Sequence, residues 1–130
     1  MRTEILVLLL AVGLGFLQLF AATAAETKVR GKKFNASSRD EDVPPLKGKP
    51  GRIKRAFENF KETFPFFIAA VFIVTYQDKT GNLSSISAIT YLVTRTIYVF
   101  LYIYDVIYIR SLVWFISALA IIGVLLQSLS

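Results

Sequence analysis

RAFENFKETFPFF, Arg55–Phe67, decides how this chain is read. On a helix, positions i, i+4 and i+7 share a face, so Arg55, Asn59 and Glu62 align as one polar stripe. The stripe leads directly into Thr63–Gln77, a charge-free run of 15 residues. At about 1.5 Å per residue that run is too short for a hydrocarbon core of about 30 Å. A spanning helix here has to draw on residues before Thr63, which brings Glu62 and Asn59 to membrane depth and Arg55 to the interface. Ionisable groups at that depth are costly, and they face a bundle interior or a wet cavity. Pro65 removes one intrahelical hydrogen bond from the same segment, so a kink is expected there.

Working outward, the rest of the chain is membranous too. Ile5–Ala25 is a charge-free run of 21 residues, long enough for one crossing. Arg2 before it and Ala22-Thr23-Ala24 near its end also fit a cleaved signal peptide, but the run exceeds a signal core of about 7–15 residues. The sequence therefore predicts helices at about 4–25, 51–77, 83–105 and 109–129, with a polar basic loop over 26–50 and Pro50 at the start of the second helix. Short second and third connections make this an up-down-up-down bundle of four transmembrane helices within one domain, residues 1–130. Trp114 stands near one end of the last helix as an interfacial anchor.

Charge distribution sets the orientation. Of the 15 Lys and Arg, ten lie between Lys28 and Arg55. A basic block bracketed by apolar runs reads as a cytoplasmic loop, with both termini on the opposite side, and not as a nucleic-acid surface. The net charge of +6 is thus a topology signal, in a chain that is 55% hydrophobic. There is no Cys and no His. Disulfides, a thiol nucleophile, a Ser-His dyad and any histidine-based metal site are excluded. Chemistry has to come from Arg, Tyr, Asn and Glu, or from a reagent the protein binds.

The third helix repeats the pattern of the second. Arg95, Tyr98 and Tyr102 fall at i, i+3 and i+7, with Tyr91 at i−4 on the same side. One reading of the two stripes is an internal ion-pair network that fixes helix register; the other is a ligand site. Cations exceed acids: Arg52, Arg55, Arg95 and Arg110 stand against Glu62 and Asp105. A small polyanion would complete the pairing, and guanidinium forks suit carboxylates. Arg110 also fits an ordinary topology-setting charge.

At this point the sequence resembles a known family. GRIKRAFENFKETFPFF, with Arg52, Arg55, Ala56, Asn59, Glu62 and Pro65, looks like the second-helix signature of the MAPEG family, the membrane-associated proteins in eicosanoid and glutathione metabolism. Asn35–Asp40, Arg95-x-x-Tyr98-x-x-x-Tyr102 and Tyr108–Trp114 resemble its bacterial branch. The resemblance covers nearly the whole chain. It implies a homotrimer of four-helix protomers, with glutathione as co-substrate bound between protomers near the cytoplasmic side and no metal. By position it implies that Arg52, Arg55, Asn59, Glu62, Arg95, Tyr98 and Tyr102 bind glutathione, and that Arg110 stabilises its thiolate. Thr63 stands where the eukaryotic eicosanoid synthases place a tyrosine, and Phe57 where some members have a polar residue.

The expected function is therefore that of a membrane glutathione transferase or peroxidase acting on hydrophobic electrophiles that arrive through the lipid. Two alternatives stand beside it. One is a MAPEG-fold membrane protein without turnover; the other is a small transporter-like bundle whose Arg and Glu line an ion or drug pathway.

Overall fold

A computed structural model describes residues 1–130 and is entirely helical. Its five helices are α1 (Thr3–Arg30), α2 (Lys32–Ala36), α3 (Gly48–Tyr76), α4 (Asn82–Ile103) and α5 (Tyr108–Ser128). Three of them, α1, α4 and α5, are long and apolar enough to cross a membrane. This is a membrane protein. The 22 residues of α4 correspond to about 33 Å, enough for the hydrocarbon core. α3 is longer still, at 29 residues, but its first half carries Arg52, Lys54, Arg55, Glu58, Lys61 and Glu62. It runs unbroken through Pro65.

Long-range contacts fix the direction of each long helix. At one end, here the far end, Arg2 donates to Asp78 and to the Thr75 carbonyl, Lys79 donates to the Ser128 carbonyl, and Ser84 meets Glu4. At the other end, the basic end, Lys54 pairs with Glu26 at 3.1 Å and Arg52 Nε donates to the Ile103 carbonyl at 2.7 Å. The four long helices thus alternate in direction, and α3 runs the full length between the same two ends as the others. α3 and α4 touch each other and both of the outer helices, whereas α1 and α5 do not meet. The cross-section is a rhombus with α3 and α4 on its short diagonal.

The segment 26–50 is more ordered than its polar composition predicts. α1 continues past the apolar run to Arg30, held by the i,i+4 pair of Arg30 and Glu26 at 3.2 Å and by Lys54 on the same carboxylate. Gly31 then turns the chain at φ 90°, a backbone region that favours glycine, and α2 follows.

The interior divides into two halves. Toward the far end Val7, Ala11, Phe67, Val71, Ala88 and Val124 belong to one apolar core. Small residues let the helices approach closely there, as is usual in membranes. A Cβ on Gly123 would fall onto the Ser87 side chain, so α4 and α5 cross at that pair. Toward the basic end the interior becomes polar around Asn59, Arg95 and Tyr98. The outside is the reverse of a soluble protein's: Leu9, Phe16, Phe66, Phe72, Phe100 and Phe115 are exposed, as expected where lipid is the solvent.

Candidate functional site

Arg95 lies on the α3-facing side of α4 and is 0% exposed. Its Nη2 donates to Asn59 Oδ1 at 2.8 Å, and its guanidinium carbon sits 4.4 Å from the Tyr98 ring centre and 5.9 Å from that of Phe60. Its Nε and Nη1 have no partner, and no carboxylate lies within ion-pair distance. Such a site is expensive, because neither a neutral amide nor an aromatic face restores what a guanidinium loses on leaving water. An anion bound beside it would.

The i, i+4 spacing of Tyr98 and Tyr102 stacks their rings along α4, with centres 5.7 Å apart and planes inclined by 59°. Beyond them Arg110, in the first turn of α5, places its guanidinium carbon 4.5 Å from the Tyr102 ring centre. The sequence Arg95, Tyr98, Tyr102, Arg110 is therefore a ladder of alternating cation and π faces. Two tyrosines hold the two guanidinium groups apart, with Arg95 buried behind Asn59 and Tyr98 and Arg110 at the open side. The α4–α5 turn, with Asp105 at φ 59°, is short enough to bring Arg110 back over Tyr102.

Asn59, Tyr98, Tyr102, Arg110, Ser111 and Trp114 line a cavity of about 250 Å³ between α3, α4 and α5. Pockets for small-molecule ligands run to roughly 300–1,000 Å³, so this cavity falls just below that range. Trp114 also lines a second depression of about 550 Å³, together with Glu62, Thr63, Phe66, Ala118 and Ile122. That groove is apolar and lies between α3 and α5 on the outer surface. Thr63 faces inward at its base, sharing a hydrogen bond of 3.0 Å with the Tyr91 hydroxyl.

Of the eight site residues predicted from sequence, the structure brings five together: Asn59, Arg95, Tyr98, Tyr102 and Arg110. Glu62 points instead to the apolar groove, exposed and without an ion-pair partner in the chain. Arg52 gives its Nε to the last carbonyl of α4. Arg55 is exposed and reaches the Leu46 carbonyl only at 3.4 Å. Phe60, Ser111 and the double role of Trp114 were not anticipated. The aromatic spacing Asn59-Phe60 beside a charged stripe was the one available hint, because Phe60 occupies the next position on the buried side. The side chains show no grouping of three or more His, Cys, Asp or Glu that could hold a metal ion.

The family model described as MAPEG family matches residues 5–130. No curated protein and no solved structure matches the chain.

Proposed function

The chain belongs to the MAPEG family, and from that premise we propose that it is a glutathione-dependent transferase or peroxidase of the bacterial type, acting on hydrophobic electrophiles drawn from the lipid. The observation that carries this reading is the meeting at Trp114 of a polar, cation-lined cavity and an apolar groove. A reaction between an anionic thiol and a lipophilic partner needs two such compartments in contact.

Glutathione carries two carboxylates and one ammonium, and the residues present fit it. Arg95 has two free buried donors for a carboxylate, and the unpaired carboxylate of Glu62 suits the ammonium. Arg55 and Arg52, at the basic end, supply further cationic donors at the rim. When bound, glutathione supplies the sulfur nucleophile. Arg110 holds that sulfur as the thiolate, and a guanidinium suits the task because it stays charged at any working pH. Trp114 and the groove place the electrophile against it and keep water away.

An exposed Glu62 partway along a helix that runs the length of the bundle supports a further element of the proposal. All four long helices cross the membrane, and three copies of the chain associate so that a neighbour covers Glu62 and closes the open wall of the cavity. A carboxylate left facing lipid would cost several kcal/mol. Light scattering of the purified protein is expected to give the mass of three chains.

The test is calorimetry of the detergent-purified protein with glutathione and S-hexylglutathione, read alongside fluorescence of the only tryptophan. Both ligands are expected to bind. The hexyl compound should bind at least tenfold tighter, since each buried methylene adds about 0.8 kcal/mol, and it should perturb Trp114. Absence of heat with either ligand would sink the reading.

Orientation is the second expectation. The ten basic residues between 28 and 55 place the basic end, and with it the cavity, in the cytoplasm. In intact cells an impermeant thiol reagent should label Ser130→Cys and spare Ser37→Cys, both being exposed positions. The opposite pattern reverses the bundle.

A further inference from the structure

α1 buries one stripe of side chains: Glu4, Val7, Ala11, Gln18, Ala22 and Glu26. Two of the three polar members are satisfied. Glu4 accepts from the Ser84 and Ser85 hydroxyls at 2.6 and 3.2 Å, and Glu26 pairs with Arg30 and Lys54. Gln18 is different. It is 5% exposed, and neither its amide nitrogen nor its amide oxygen has a partner. A buried amide without partners is costly, and leucine at this position would pack as well without that cost.

The register of the helices shows what lies beside it. α1 and α4 run in the same direction with Glu4 against Ser84, an offset of 80. Gln18 is therefore level with Tyr98, about one turn beyond Arg95. α1 and α3 run in opposite directions. Gly15 faces the Phe60 ring, and Ala22 and Thr23 share a depression with Phe57 and Glu58. Gln18 lies between those contacts, at the depth of Asn59, the residue that already holds Arg95. Two sets of unpaired buried atoms thus occupy one level of one interior: the amide of Gln18, and Nε and Nη1 of Arg95.

We propose that Gln18 is a positioning residue for Arg95. Its amide oxygen takes one of the two Nη1 hydrogens of Arg95 across a bridging water, and so the other Nη1 hydrogen and Nε–H stay aimed at the ligand. The amide completes the shell without neutralising the guanidinium, whereas a carboxylate there would discharge it and repel an anionic ligand. This rests on the proposed glutathione reading only for what Arg95 then binds.

The test separates the two. Arginine Nε–H resonances of the purified trimer are recorded by NMR, with Arg95→Lys identifying the Arg95 signal. In Gln18→Leu that signal is expected to shift and its exchange with water to change severalfold. Glutathione affinity should fall at least tenfold in Gln18→Leu and further in Gln18→Glu, a second variant that keeps a polar side chain in place. An Arg95 resonance unmoved in both variants overturns the proposal. So does a shifted resonance with unaltered glutathione affinity, which leaves Gln18 a packing role. Wild-type protein that binds no glutathione defeats the functional reading alone, and the resonance comparison still decides whether Gln18 holds Arg95.

Discussion

Replacing Arg95 with methionine is expected to give a folded protein that no longer binds glutathione measurably. The guanidinium is wholly buried, bonded to one neutral oxygen, and has two donors unused. Hydrogen bonds to charged groups contribute about 1.5–3 kcal/mol each, so loss of two to a carboxylate raises Kd by 100-fold or more. The same change should leave thermal stability equal or improved, since methionine fills a similar volume and brings no unpaired charge into the interior. Opposite signs for binding and stability identify a group kept for its ligand. Calorimetry beside a melting curve is the measurement. A collapse in stability with affinity per folded protein intact would instead make Arg95 a structural strut between α3 and α4.

The second large effect is expected at Arg110. A free thiol with a pKa of about 8.5 is only about 3% ionised at pH 7, so a nearby guanidinium can raise the thiolate population more than tenfold. Arg110→Ala should leave glutathione affinity within a few fold, because Arg95 and Glu62 remain, but remove most of the ultraviolet thiolate absorbance of the complex at pH 7. Turnover should fall at least tenfold at that pH. The sign of the pH dependence follows. In the variant the thiol titrates near its ordinary value, so its rate climbs as pH rises through about 8.5, where the wild-type rate is already level. Arg110→Lys should recover part of the signal, since a compact sulfur needs charge more than fork geometry. Full thiolate absorbance in Arg110→Ala would move the role to Arg95 or Arg52.

Much of the scaffold was legible because membrane helices obey few rules. Charge-free runs of about 20 residues mark the outer helices α1 and α5, and the shortfall after Thr63 required α3 to reach back into its charged half. What composition could not supply was the division of labour within that half. Arg55, Asn59 and Glu62 do share a face by spacing, yet the face straddles a boundary. The α2–α3 segment takes Arg55, α4 takes Asn59, and the gap toward α5 takes Glu62. Helical periodicity says which residues align; which neighbour each one meets depends on crossing geometry, and a single sequence does not encode that locally. The ladder on α4 was easier, because Arg95, Tyr98 and Tyr102 are adjacent on one rigid helix. Gln18 escaped notice for the opposite reason. A lone amide in an apolar run resembles a tolerated polar residue until its surroundings are known.

The pairing of Glu4 with Ser84 and Ser85 has a consequence in time as well as in space. The carboxylate is synthesised first, and its partners follow 80 residues later. At about 5–20 residues per second, translation takes about 4–16 s to bring them out. Throughout that interval Glu4 lacks its hydroxyl partners, although α1 can already meet α3 through Glu26 with Lys54 and Gly15 with Phe60. The first turn of α1 is therefore fixed late, once the ribosome has begun the third long helix, even though the rest of α1 can dock on α3 before then.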